Sequence, residues 1–135
     1  MSVPDAAPQS VILLVDDFED ALVIYGAYLE HDGYAVVVAR DGREAIEAAR
    51  LHLPVLILLD LRMPVMSGAE ALKILRADGA FARTPIIALT AHALEEERAQ
   101  ALADGFDYVI SKPCLPDELV RMVRAVLRER SRLSN

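Results

Sequence analysis

The stretch VLILLDLRMPVMSG, Val55 to Gly68, decides the fold class. Five consecutive apolar residues without in-out alternation make a strand covered on both faces. Asp60 follows at once, and Pro64 and Gly68 interrupt the chain before a new amphipathic segment begins. Strands of this kind belong to parallel sheets with helices packed on either side, so units of the same build are expected before and after it. Val11 to Val15, Tyr34 to Ala39, Pro85 to Leu89 and Asp107 to Ile110 read as four more strands. Apolar residues at helical spacing predict helices at about Phe18 to His31, Arg43 to Leu51, Ala69 to Ala77, Leu94 to Ala103 and Asp117 to Arg130. The pattern is five βα units.

The punctuation agrees with that order. Asp41 with Glu44 three residues on is a capping-box pattern, Ser67 can cap the third helix, and Pro116-Asp117-Glu118 suits a first turn. Gly33, Gly79 and Gly105 fall at or just past helix ends. No internal repeat or Gly/Ser-rich linker divides the chain. One domain is expected over residues 10–130, with a flexible N-terminal tail at 1–9 and a polar C-terminal tail at 131–135.

Composition removes several function classes. The 135 residues fit one domain, and 54% hydrophobic residues exclude a disordered chain. Fourteen Lys and Arg against 21 Asp and Glu give a net charge of -7, which argues against nucleic acid as a direct partner. The single Cys114 rules out an internal disulfide, and the apolar runs fall far short of the roughly 20 residues that span a bilayer. With no signal-peptide pattern at the start, a soluble cytoplasmic protein is expected.

Function is carried by where the polar residues fall. Asp16 and Asp17, Asp60, Thr90 and Lys112 directly follow apolar strand runs. In an open parallel sheet these strand ends share one edge, the edge where ligands bind. Three carboxylates gathered there repel by about 3 kcal/mol per pair at roughly 5 Å and an effective dielectric near 20, so a cation is required. Oxygen-only ligands favour a hard divalent ion such as Mg²⁺. A carboxylate beside such an ion and a lysine is a candidate phosphoryl acceptor, with Thr90 donating to a phosphoryl oxygen. Any one of these acids alone reads as an ordinary cap or loop residue.

On these residues the sequence resembles the receiver domain of two-component response regulators, over nearly its whole length. The matching features are Asp16-Asp17, DLRMPVMSG from Asp60 to Gly68, Thr90-Ala91 and Lys112-Pro113. The resemblance implies a flavodoxin-like (βα)₅ fold, a five-stranded parallel sheet of order 2-1-3-4-5 with helices on both faces. It implies that Asp60 accepts a phosphoryl group from a histidine kinase or histidine phosphotransfer protein, with Thr90 and Lys112 binding that group. It further implies a metal, Mg²⁺ or Mn²⁺, held by Asp16 (through water), Asp17, Asp60 and the backbone carbonyl of Arg62. A cis Lys112-Pro113 peptide is also implied. Such a domain is a regulatory phosphoacceptor, not a classical enzyme. It signals by changing the surface of its fourth helix, fifth strand and fifth helix, which also serves for dimerisation. With nothing following Asn135, the chain reads as a stand-alone receiver.

Three positions modulate this expectation. The family commonly has Tyr or Phe three residues before the site lysine, where this chain has Val109; Tyr108 is adjacent but one strand step reverses its direction. The aromatic part of the switch is therefore expected to be weak or absent. Arg62 and His92 stand two residues beyond Asp60 and Thr90, where the family tunes acyl-phosphate lifetime, though both also read as solvated loop residues. Arg121, Arg124 and Arg128 form a helical stripe that reads as a solvated face first and an acidic docking surface second. Cys114 reads as a packed small hydrophobe.

Other functions remain open on the sequence alone. A non-phosphorylated receiver-like docking module is one. An aspartate-nucleophile phosphatase is another, but its general acid, normally an Asp two residues after the nucleophile, is replaced by Arg62. A flavin or nucleotide binder lacks a Gly-x-Gly or Walker loop.

Overall fold

A computed structural model describes residues 10–91 and 94–133. The apolar runs form β1 (Val11–Val15), β2 (Ala35–Ala39), β3 (Leu56–Asp60), β4 (Ile86–Thr90) and β5 (Tyr108–Ser111). They alternate with α1 (Glu19–His31), α2 (Gly42–His52), α3 (Gly68–Ala77), α4 (Glu95–Asp104) and α5 (Pro116–Leu133), and a short 3-10 turn at Gly79–Phe81 precedes β4. All pairings are parallel and the order is β2-β1-β3-β4-β5. This is the flavodoxin-like arrangement, with β1 and β3 side by side at the centre.

Strand alternation divides the core into two layers. Leu13, Val15, Ile57, Leu59, Ile86, Ala88 and Val109 pack with residues of α2, α3 and α4. Ile12, Leu14, Leu56, Leu58, Ile87, Leu89 and Ile110 pack with α1 and α5. Both faces of the sheet are therefore dry along β1, β3 and β4, which is why those strands show no polar alternation, whereas the edge strand β2 stays partly open with Val38 37% exposed.

Three boundaries differ from the sequence expectation in the same direction. β3, β4 and β5 each lie one residue further along than expected, leaving out Val55, Pro85 and Asp107 and taking in Asp60, Thr90 and Ser111. Apolar pattern ends a strand at its last hydrophobic residue, but the ladder does not: Asp60 pairs with Leu89 and Thr90 with Ser111. Asp60 and Thr90 are consequently fixed by the sheet rather than carried on loops. At the other end, α5 continues to Leu133, past the expected helix end at Arg130; Arg130 and Arg132 in its last turn complement the helix dipole. Residues 1–9, 134 and 135, expected as tails, lie outside the described residues, so only 131–133 of the C-terminal tail is seen, and it is helix.

Caps form where the sequence puts them, with one change of partner. Ser67 and Glu70 make a full capping box on α3. Asp41 accepts from the Glu44 N–H at 2.9 Å, but the Glu44 carboxylate reaches back to the Arg40 N–H instead of Asp41. A half-buried hub ties the opposite edge of the sheet: Asp107 accepts from Arg76, Arg130 and the Ile86 N–H at 2.7–2.8 Å.

The loop from β3 to α3 contains a strained residue. Val65 has φ 67° and the Met66 N–H donates to the Pro64 carbonyl at 2.7 Å, a γ-turn centred on a β-branched side chain that is 76% exposed. Nothing packs on that side chain to justify the conformation, and a left-handed β-branched residue costs roughly 1–2 kcal/mol. Val65→Gly is expected to stabilise the fold by about 1 kcal/mol and raise Tm by roughly 3–5 °C in a calorimetric scan. An unchanged or lower Tm would show that the turn is not strained.

Candidate functional site

The carboxyl ends of β1, β3, β4 and β5 bring Asp16, Asp17, Asp60, Thr90 and Lys112 to one rim. Asp16 is fully buried and Asp60 is 5% exposed, whereas Asp17 faces solvent. One carboxylate oxygen from each of the three lies within 4.8 Å of the others. Lys112 completes the cluster: its Nζ donates to Asp16 Oδ2 at 2.8 Å and to Asp60 Oδ2 at 3.4 Å. The Phe18 N–H takes the other Asp16 oxygen at 2.9 Å, and the Arg62 N–H donates to Asp60 Oδ1 at 3.2 Å.

Local sequence explains each placement. The Lys112 N–H donates to the Thr90 carbonyl at 2.7 Å, continuing the ladder beyond β5 and fixing the lysine beside β4. Thr90 is 2% exposed at the last position of its strand. The Lys112–Pro113 peptide is cis. On the β3 side, the Gly68 N–H donates to the Leu61 carbonyl at 3.1 Å, and a Cβ at Gly68 would overlap the Asp60 carbonyl oxygen. Only glycine lets α3 start this close to the end of β3. The motif contained Gly68, but its contact with Asp60 is a steric fact that spacing does not reveal.

Burial acts on both Asp60 and Lys112. Desolvation pushes the Asp60 carboxyl up from 3.8 to about 6, with the Asp16 charge adding to it and the Arg62 N–H and Lys112 opposing. For Lys112, burial pulls the ammonium down, but its hydrogen bond to Asp16 and the charges of Asp60 and Asp16 outweigh that and hold it above its ordinary value. The rim is an acidic pocket short of positive charge, with one lysine for three carboxylates.

The remaining sequence-selected residues fall in different places. Val109 packs in the α2–α4 layer, while Tyr108 packs on the α1/α5 layer and donates its hydroxyl to Glu129 at 2.5 Å. The aromatic ring next to the family's switch position is thus on the opposite face of the sheet. The Arg62 side chain pairs with Glu97 of α4 at 2.9 Å, a contact no motif pointed to. His92 lies outside the described residues. Arg124 of the α5 stripe is tied to Asp32 at 2.6 Å. Cys114 packs against the α1/α5 layer, and burial raises its thiol pKa.

An apolar groove of about 420 Å³ opens beside Lys112, between α1 and the β5–α5 loop, lined by Phe18, Ile24, Tyr25, Pro113, Cys114 and Pro116 among others. Tyr25 closes its floor by donating its hydroxyl to the Cys114 carbonyl at 2.9 Å.

The model of the response regulator receiver domain matches residues 12–124, which contain every one of these site residues. The chain belongs to that family. A similar relative is the polar-differentiation response regulator DivK of Brucella anthropi, 33% identical, with the alignment covering 89% of this chain and 97% of the relative. Among solved structures, the chemotaxis response regulator CheY4 of Vibrio cholerae is 32% identical with a TM-score of 0.83, covering 88% of this receiver and 99% of that chain. The receiver domain of sensor histidine kinase PA1611 from Pseudomonas aeruginosa PAO1 is 35% identical with a TM-score of 0.81, covering 89% and 98%. That structure is described as having a magnesium ion coordinated in its active site cleft. This receiver has the corresponding kind of acidic cluster, in Asp16, Asp17 and Asp60. Among the described residues, no helix is long and apolar enough to cross a membrane.

The raised Asp60 pKa has a stability consequence with a definite sign. Between about pH 4 and pH 6 the folded state holds a proton that the unfolded state has lost, so stability falls as pH rises through that window. Without divalent ions, Asp60→Asn is expected to exceed wild type by about 1–2 kcal/mol near pH 7.5, allowing for partial solvent screening. The advantage should shrink toward pH 4.5 in denaturant melts. A pH-independent difference would contradict the desolvated carboxylate.

Proposed function

We propose that the chain is a phosphoacceptor receiver of a two-component phosphorelay, taking a phosphoryl group on Asp60 from a histidine kinase or histidine phosphotransfer protein. The observation that carries this reading is the meeting of the nearly buried Asp60 carboxylate with Lys112 and two further acids at one rim. In the transfer, an Asp60 carboxylate oxygen bonds to phosphorus as the donor's N–P bond breaks, and the electron pair leaves with the imidazole. Lys112 and the Thr90 hydroxyl are assigned to the phosphoryl oxygens, and the Arg62 N–H continues to hold the second Asp60 oxygen.

Asp16, Asp17 and Asp60, with the Arg62 carbonyl, are the residues that would hold Mg²⁺, or Mn²⁺ in its place. Their donor set is all oxygen, and their excess of negative charge is what such an ion offsets. When bound, the metal neutralises charge on the phosphoryl oxygens. The only chemistry assigned to the chain is its own phosphorylation and dephosphorylation. Arg62 at the place of a second acid argues against a turnover phosphatase.

The donor's seat is assigned to the groove beside Lys112, because it is apolar and lies against the acceptor pocket. Output is assigned to α4, β5 and α5, with dimerisation through the same face and a cytoplasmic setting. Tyr108 is held by Glu129 on the far side of β5, so it is not assigned the inward swing of an aromatic switch.

Incubation with a small phosphodonor and Mg²⁺, followed by intact-mass measurement, tests the acceptor. Wild type is expected to gain one phosphoryl group, Asp60→Ala none, and Lys112→Ala at least about tenfold less at equal time. Labelling of Asp60→Ala equal to wild type would refute the assignment. For the donor seat, Ile24→Asp is expected to lower transfer from a phosphohistidine protein by about tenfold while sparing labelling by the small donor, since burying an unpaired charge weakens docking. Equal losses with both donors would place the seat elsewhere.

A further inference from the structure

Resting on the phosphoacceptor reading of Asp60, one contact links the acceptor loop to the output helix. Arg62 Nη2 pairs with Glu97 Oε2 at 2.9 Å, joining the β3–α3 loop to the first turn of α4. The same Arg62 donates its backbone N–H to Asp60 Oδ1, so the guanidinium hangs from the peptide that touches the acceptor. Arg62 stands two residues from Asp60, and its long side chain starts at that contact. Glu97 is in an unfavourable position without its partner: its Oε1 is buried with no hydrogen bond among the described residues, and Glu95 and Glu96 precede it in the same turn. The usual aromatic position offers no alternative path, because it holds Val109 and the Tyr108 ring is on the other face.

We propose that Arg62 is a charge relay between Asp60 and α4, and that Glu97 is the positioning residue that holds it in the unphosphorylated state. Phosphorylation brings about two negative charges next to Arg62. A guanidinium binds a phosphoryl dianion through two parallel hydrogen bonds, whereas its exposed pair with Glu97 is weak. Arg62 transfers to the phosphoryl group, Glu97 loses its counter-charge, and the first turn of α4 is released toward water. The relay replaces aromatic packing with a switch of ion-pair partner.

Hydrogen exchange of the full chain, with and without a small phosphodonor and Mg²⁺ and with intact mass read in parallel, tests the relay. In wild type, phosphorylation is expected to speed exchange at the first-turn amides of α4 about threefold, the scale an exposed ion pair supports. Glu97→Gln is expected to show the fast exchange before phosphorylation and no further change after it. Glu96→Gln, which removes an equivalent helix-end charge without touching the bridge, should behave as wild type. The reversed pair Arg62→Glu with Glu97→Arg should restore resting protection but no longer respond to phosphorylation. Mass gain in wild type without faster α4 exchange overturns the relay alone, as does a Glu96→Gln that matches Glu97→Gln. Absence of any mass gain overturns the phosphoacceptor reading and the relay with it.

Discussion

The ammonium of Lys112 stands between two carboxylates that the sheet has taken out of water, Asp16 and Asp60. Desolvation raises the Asp60 carboxyl, and the lysine's charge and hydrogen bond oppose that rise. Lys112 gains its own position from the Thr90 carbonyl, which its N–H meets at 2.7 Å. The cation that holds the acidic rim together is therefore placed by the backbone of β4 and β5, while the acids are placed by β1 and β3. Among the described residues, one lysine against three carboxylates leaves the rim negatively charged, and that imbalance favours a divalent ion.

Rigidity elsewhere supports this concentration of charge. The two apolar layers on either face of the sheet prevent the strands from sliding, and the Asp107 hub with Arg76 and Arg130 fastens the edge furthest from the rim. Gly68 permits α3 to start directly against the Asp60 carbonyl. The β3–α3 loop carries the strained Val65 and is tied to the start of α4 through Arg62 and Glu97.

Much of this was legible in the sequence because doubly covered strands announce themselves. LILL and ILLV are buried throughout, while Val55 at the head of VLILL is 40% exposed and precedes the strand; the polar residues that end these runs had to share an edge once the strands were parallel. Alternation alone also separated Tyr108 from Val109. The misplaced ends of β3 and β4 have a physical origin, since Asp60 and Thr90 keep their ladder bonds despite being polar. Glu97 was invisible because a first-turn glutamate is ordinary on any helix, and only the fold brings it to Arg62. The shift in capping partner from Asp41 to Arg40 depended on a side-chain rotamer that no residue pattern encodes.

Calorimetric titration of the unphosphorylated protein with Mg²⁺, wild type beside Asp17→Asn, probes the acidic rim without any phosphate chemistry. Asp17 is the solvent-facing member of the trio, so its loss leaves the buried Lys112 contacts intact. The account predicts saturable uptake of one ion per chain by wild type and at least about tenfold weaker uptake by Asp17→Asn. Equal binding by both proteins, or none by either, would contradict it.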